Sequence, residues 1–440
     1  MSVRHGRGSP VRVVVAGGGF AGVAAAARLA AGSTGGSAAA EAGGAKAGRR
    51  VRAEVVLLDP KSRCEMLPLL PDIAVGRIGS AAGGSSHRAL AAQHGYRFVQ
   101  NALTEVDLRN HRATLGAAGQ TLAYDFLLLS HGGQVAFYGN ESAARYATPL
   151  RSLGDAMLIR KRLAKAVQAA HPTDAVQDSH PGAAEAGATL LVVGGGYTGV
   201  ELATHLHRLH RLYAQSPPSV GRPQPPSSVI LVELADEILG AQEPRMQHFA
   251  RTHLEALGVE VRTGTSVTDV TPRAAVLSDG TRLDDTVTFW TAGIQVIPPR
   301  GAAARTTGPG RLVVDEYLRL GAGLFAAGDA AGFTHGGAPL PPASYLAVQQ
   351  GIAVAANIAR AAAGRPLKPY RPLVHGIIIP VAGGSGCARI HGLPLSGRPA
   401  AALHYAATAA RAHSRAQRAA IIRDLLRPPL SAPAGQMAAR

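Results

Sequence analysis

Short apolar runs recur along the chain, each closed by a glycine-rich or polar turn and followed by a segment of helical period. In the first half they are Val11–Ala16 ("VRVVVA"), Val51–Asp59 ("VRAEVVLLD") and Tyr124–Gly133 ("YDFLLLSHGG"). The cycle restarts at Thr189 ("TLLVVGGG"), continues with Ser228–Leu234 ("SVILVEL") and closes with Asp285–Gly293 ("DTVTFWTAG"). These runs are apolar throughout rather than alternating, the pattern of parallel strands covered by helices on both faces. The double cycle predicts an α/β protein with two doubly wound, Rossmann-like dinucleotide-binding domains.

Each half carries a GxGxxG turn between its first strand and first helix: Gly17, Gly19 and Gly22, then Gly194, Gly196 and Gly199. In such a turn the first glycine permits the tight reversal, the second lets a pyrophosphate approach the backbone, and the third lets helix and strand pack closely. The N–H groups at the helix start then face the phosphates. An acidic partner for the ribose hydroxyls is expected about 20 residues on, at the end of the second strand. Asp59 lies 37 residues after Gly22, and Glu233 lies 34 after Gly199. Without the small-residue stretch Gly32–Arg50 (19 residues) and the Pro-rich stretch Ala214–Ser228 (15 residues), the spacings become 18 and 19. Both stretches read as surface insertions, as does the Ala-, Pro- and Asp-rich Ala169–Gly187. An acid at Glu233, rather than an arginine, favours NADH over NADPH, unless the carboxylate merely sits beside the ribose without selecting.

Composition narrows the class. The chain has 440 residues, 46% of them apolar, enough for a large core and more than one domain. No apolar run is long enough to cross a bilayer, and the stretch "MSVRHGRGSP" lacks the apolar middle of a secretory signal, so none is expected. Cys64 and Cys387 are the two cysteines and form no CxxC or metal set. An intracellular, reducing compartment is expected and secretion is not. The net charge of +17 is spread along the chain without a dense basic run interleaved with aromatics, and aromatics are 4% of the residues, so nucleic acid is not an expected partner.

Four motifs in order, "GGGFAG", "GGGYTGVELA", "WTAGI" (Trp290–Ile294) and "LFAAGDAAG" (Leu324–Gly332), resemble the FAD-dependent pyridine nucleotide-disulfide oxidoreductase superfamily. Within it the chain is similar to type II NADH dehydrogenases, the single-subunit NADH:quinone oxidoreductases. "MLPLLPDIAVGRI" (Met66–Ile78) and "AVQQGIAVAANIARAAAGRPLKPY" (Ala347–Tyr370) add to the likeness. The resemblance implies an FAD-binding domain over 11–150 and 296–375, an NAD-binding domain inserted over 151–295, and a helical C-terminal region over 376–440. It implies FAD held by Gly17, Gly19, Gly22, Asp59, Gly132, Gly328 and Asp329, and NADH held by Gly194, Gly196, Gly199, Glu233 and Gly293. Asp329 is alternatively a plain helix N-cap.

The cofactors carry the redox chemistry, and no side-chain nucleophile or metal is required. By resemblance Glu201 lies near the nicotinamide and orients it or assists proton delivery; its plainer reading is a first-turn acid favoured by the helix dipole. His205, His207 and His210 do not share a helix face as i, i+2 pairs, so no metal site is expected. Where type II enzymes carry AQxAxQ the chain reads "SYLAVQ" (Ser344–Gln349), which makes Tyr345 and Gln349 the candidates for the acceptor side. His131 in "SHG" stands where the family has threonine. Cys64 has no neighbouring cysteine and reads as an apolar filler. The span Ala401–Leu426, with Arg411, Arg415, Arg418 and Arg423, reads as one basic amphipathic helix for peripheral membrane contact, for packing on its own domain or for a homodimer partner. The acceptor is expected to be a quinone. The alternatives are a soluble acceptor, or a redox-sensing flavoprotein with little turnover.

Overall fold

The computed structural model describes residues 10–34, 52–168, 188–214, 228–240, 242–302, 304–381 and 384–426. Most of the three insertions therefore lies outside the described residues. The chain divides into two compact units. The first comprises Met1–Glu65, Ser85–Gln134 and Ile294–Val374; the second comprises Met66–Gly84, Val135–Gly293 and His375–Arg440.

The first unit is built on a six-stranded sheet in the order Arg319–Gly321, Leu324–Ala326, Phe126–Leu129, Val11–Ala16, Ala53–Leu58, Arg97–Val99. All neighbours are parallel except the Arg319–Gly321 edge strand. Val14 pairs with Val56 on one side and Leu127 on the other. Its side chain joins Ala16, Val56, Leu58, Leu127 and Leu129 in a core completed by Val106, Ala113 and Leu115 of a three-stranded antiparallel sheet. Val13 and Val15, on the opposite face, are also fully buried, which is why the strand reads as a continuous apolar run. The helices Phe20–Thr34 and Ser344–Ala362 pack closely where Gly351 meets the Ala21 carbonyl; a side chain at Gly351 would collide with that backbone.

The second unit repeats the plan. Its five parallel strands run in the order Thr148–Pro149, Thr286–Trp290, Thr189–Val193, Ser228–Val232, Glu260–Arg262. Leu191, Val193, Ile230, Val232 and Trp290 pack against Val267, Ala275 and Leu277 of a second three-stranded antiparallel sheet. The α/β reading with two parallel-sheet cores thus describes the fold.

The C-terminal region differs from the expectation in two ways. It opens with an antiparallel sheet, Gly376–Val381, Ser385–Ile390 and Leu393–Ser396, before any helix. Ile390 pairs with Leu393 across His391 and Gly392, both at positive φ (48° and 84°), the geometry of a two-residue type I′ turn. The expected single helix is also two, Arg398–Ala410 and Arg415–Leu426. The second is started afresh by Ser414, whose Oγ accepts the Gln417 N–H at 3.1 Å, while Gln417 Oε1 accepts the His413 N–H at 3.0 Å. This near-reciprocal arrangement resembles a capping box. At its end Ile421 is buried, while Ile422 and Leu426 are exposed. No described helix is long and apolar enough to cross a membrane.

Candidate functional site

In both units the glycine turn leaves the C-terminal end of the central strand and is fixed by the same three devices. Gly17 and Gly194 have φ of 109° and 107°, open to glycine alone, and a Cβ on either would strike the backbone of the neighbouring strand's end, at Ser130–His131 and Thr291–Ala292 respectively. A Cβ at Gly22 or Gly199 would strike the carbonyl of Gly17 or Gly194, so these third glycines set the helix against its strand. The turn carbonyls are held by a hydroxyl: Ser130 Oγ donates to Ala16 O or Gly17 O (3.2 and 2.9 Å), and Thr291 Oγ1 to Val193 O or Gly194 O (2.8 and 3.0 Å).

The acidic residues occupy equivalent places. Asp59 accepts the N–H groups of Gly18 (2.6 Å) and Lys61 (2.7 Å). Glu233 accepts those of Gly195 (2.5 Å) and Ala235 (2.9 Å). Beside each turn there is room: a Cβ built at Gly19 or Gly196 meets nothing within 4 Å. A glycine turn, a following helix start, an oriented carboxylate and open space at the second glycine form a cradle that fits a dinucleotide pyrophosphate and ribose. Two such cradles, one per unit, fit two dinucleotides.

Gly132 follows the Phe126–Leu129 strand and Gly328 follows Leu324–Ala326, so both lie at the C-terminal end of the parallel strands, as Gly17 and Asp59 do. Gly132 is at φ 68° with open space around its Cα. The Gly328 N–H donates to Gln350 Oε1 at 2.7 Å, and Gln350 is 2% exposed. Asp329 lies within the single 3-10 turn Gly328–Ala330, which has no side-chain cap, so the N-cap alternative falls away. Its carbonyl accepts Arg311 Nε (3.2 Å), while Arg311 also binds Leu340 O (2.8 Å). Burial lowers the Arg311 pKa, and the Asp329 carboxylate opposes that shift.

Of the acceptor-side candidates, Tyr345 is half-buried near the start of the Ser344–Ala362 helix. Gln349 spends its amide on the backbone of Leu373, donating to its carbonyl (3.0 Å) and accepting its N–H (2.9 Å). Gly293, at φ 70°, is covered by the side chain of Tyr138. The Cys64 thiol is buried and its pKa is raised by that burial and by Asp59 and Glu65. Cys387 is likewise pushed up by burial, to about 11.

Glu201 is the fifth residue of the Tyr197–Ala214 helix, beyond the first turn, which removes the helix-dipole reading. It is 6% exposed and burial raises its pKa well above the ordinary carboxylate value, helped by Asp72 and opposed by Arg77. His205 lies one turn further on, and its Nε2 is 3.4 Å from Asp72 Oδ1 and 4.0 Å from Glu201 Oε1. His207 is buried beside Gly258, away from that pair's contacts, and the side chain of His210 lies outside the described residues. The sequence reading missed Ser130, Thr291, Gln350, Asp72 and Arg311. It also missed the i, i+4 pairing of Glu201 with His205, which helix spacing alone signals.

Residues 11–357 match the family described as pyridine nucleotide-disulphide oxidoreductase. A type II NADH:quinone oxidoreductase of Haemophilus influenzae is 25% identical over 352 residues, covering 74% of this chain and 78% of that one. The type II NADH:quinone oxidoreductase Ndh of Mycobacterium tuberculosis is 28% identical over 262 residues, 57% of this chain, and the chain spans only about half (54%) of that relative's length. The solved structure of NDH2 from Plasmodium falciparum in complex with NADH superposes with a TM-score of 0.77 at 14% identity, over 95% of this chain and 98% of that one, a likeness of fold.

Proposed function

Because the chain belongs to the pyridine nucleotide-disulphide oxidoreductase family, we propose that it is an FAD-dependent oxidoreductase that takes a hydride from NADH and delivers electrons to a quinone. The observation that carries this reading is the pair of matched glycine–carboxylate cradles, one per unit. FAD, when bound, supplies hydride acceptance and onward electron transfer. The first cradle, with Gly17, Gly19, Gly22, Asp59, Gly132, Gly328 and Asp329, is assigned to FAD. The second, with Gly194, Gly196, Gly199, Glu233 and Gly293, is assigned to NADH, which makes the first unit the FAD-binding domain and the second the NAD-binding domain.

The chain's own residues bind, orient and hold protons. Asp59 and Glu233, each already fixed by two backbone N–H groups, keep the remaining carboxylate lone pairs for ribose hydroxyls. Glu201, kept protonated by burial, holds a proton at its carboxyl for the reduced acceptor. Tyr345 is assigned to the acceptor's ring and Gln349 to fixing the segment at Leu373 beside it. Two buried cysteines with raised pKa values do not support a disulfide-exchange reading, since the thiolate is the reactive form. The exposed Ile422 and Leu426, with exposed Arg415, Arg418 and Arg423 on the same helix, support peripheral contact with anionic lipid.

Purified protein reconstituted with FAD tests the reading. It is expected to bind about one FAD per chain, to be bleached by NADH, and to be reoxidised by a short-chain quinone. Protein that binds no FAD refutes the cofactor assignment, and a bleached flavin that no quinone reoxidises moves the acceptor to the soluble class.

A further inference from the structure

In the second unit a polar cluster lies largely buried among helices, around the helix that leaves the second glycine turn. Asp72 comes from the short helix Leu70–Ala74, with Arg77 just after it; Glu201, His205 and Arg208 come from Tyr197–Ala214; His404 and Tyr405 come from Arg398–Ala410. Asp72 is fully buried, and His205 and Tyr405 are 4% and 8% exposed. Asp72 Oδ1 receives Arg77 Nη1 at 2.7 Å and the Tyr405 hydroxyl at 3.1 Å, and Arg77 also contacts that hydroxyl. The strand Gly376–Val381, which packs on the Tyr197–Ala214 helix, brings no charged residue, while Arg160 of Leu153–Gln168 lies against Gly76, and Arg411 adds positive charge near His404.

Four buried atoms in this cluster make no hydrogen bond among the described residues: Asp72 Oδ2, Glu201 Oε1, His205 Nε2 and His404 Nε2. A carboxylate oxygen of Asp72, a carboxylate oxygen of Glu201 and an imidazole nitrogen of His205 all lie within 4.8 Å of one another. Buried polar atoms this close without partners are costly unless a shared proton or ion joins them. A divalent cation is disfavoured, since the Arg77 guanidinium already offsets the Asp72 charge and burial favours the neutral form of Glu201. A proton fits better, because the same three atoms can hold it in turn.

We propose that His205 is the residue that reprotonates Glu201, working between Glu201 and the Asp72–Tyr405–Arg77 end of the cluster. The inference rests on the proposed role of Glu201 in the reaction above. Reduction of a quinone by NADH takes up one proton from solution beyond the hydride. When the Glu201 O–H bond breaks and the proton leaves for the acceptor, a carboxylate remains 4.0 Å from His205 Nε2. The imidazole then lies between two carboxylates, so it binds a proton from solution. Its N–H bond breaks as the Glu201 O–H bond forms again, and no electrons move. Before that moment burial keeps the imidazole neutral, with one N–H, so His205 carries a second proton only while Glu201 lacks its own.

The test compares two acceptors on His205→Gln holoenzyme: a short-chain quinone, which must gain protons, and ferricyanide, which gains none. The ratio of quinone to ferricyanide turnover is expected to fall about ten-fold at pH 8 and less than three-fold at pH 6, where protons are plentiful. An unchanged ratio, or an equal loss with both acceptors, overturns the proposal. Histidine nitrogen NMR supplies a readout independent of turnover: Asp72→Asn is expected to lower the His205 titration further, while Glu201→Gln, neutral for neutral, leaves it in place. A His205 signal that ignores Asp72→Asn also overturns it, as does micromolar binding of zinc that is lost in His205→Gln. Wild-type protein that reduces ferricyanide and no quinone refutes the quinone reading instead, and the NMR response then decides the proton assignment by itself.

Discussion

Gln350 provides the sharpest check on how the first cradle is held. Its Oε1 accepts the Gly328 N–H at 2.7 Å from a site 2% exposed to solvent, in the helix that packs on the one starting at the glycine turn. Gln350→Leu keeps a similar volume and removes the acceptor. A donor left unsatisfied in a largely buried site costs about 1–3 kcal/mol. Gly328 is assigned to the FAD site, and its N–H is the donor left without this acceptor, so much of the cost should fall on binding. The expected outcome is an affinity for FAD weakened by about 5- to 150-fold, the equivalent of that energy. Flavin fluorescence during titration of apoprotein measures it, and urea unfolding of the same apoprotein measures the part lost to global stability. Affinity within two-fold of wild type, with stability lowered by the full amount, refutes the argument that this amide shapes the flavin site.

Two other outcomes follow from the site. Glu233→Gln trades one lone-pair acceptor for an amide donor opposite the Gly195 and Ala235 N–H groups, so the preference for NADH over NADPH in stopped-flow flavin reduction should narrow by about ten-fold; equal rates with both nucleotides in wild-type protein contradict the selection. His205 and His404 are held by burial at about 4 against an ordinary 6.5, so the unfolded chain binds protons that the fold refuses, and stability falls as pH drops from 6.5 towards 4. For Glu201 the sign reverses, because a raised carboxyl pKa makes stability fall as pH rises above the unfolded carboxylate range. In Tm-against-pH scans His205→Gln should flatten the acid limb by up to about 3 kcal/mol and Glu201→Gln the neutral-to-alkaline limb; parallel curves for variants and wild type disprove both assignments.

What the sequence reveals depends on how far apart the partners lie. The glycine turns and their carboxylates were readable because strand, turn, helix and strand follow one another, and the two insertions could be subtracted. Ser130 and Thr291 could not be read as turn anchors, since each arrives from a strand far along the chain. The choice between Gln349 and Gln350 is a matter of helix facing: one turns to Leu373, the other to Gly328, and no motif distinguishes them before the helix is placed. Asp72 and Glu201 are separated by most of an unrelated domain cycle, so their meeting belongs to tertiary structure. Other misses were local and legible: His391-Gly392 as a hairpin turn, Ser414 with Gln417 as a capping pair, and Glu201 with His205 at i, i+4.

The parallel strands also separate where the chain tolerates length from where it does not. Both inserted stretches enter between a helix's end and the start of the second strand, after Thr34 and before Ala53, and after Ala214 and before Ser228. Asp59 and Glu233 stand just past the opposite ends of those strands, about five or six residues away, or roughly 17–20 Å. An affinity handle, a fluorophore or a shortened connection introduced at either entry point would therefore be a full strand length from the carboxylate, Asp59 or Glu233, at the other end of that strand. These two joints are the natural places to attach the protein to a surface or a reporter while its redox chemistry proceeds.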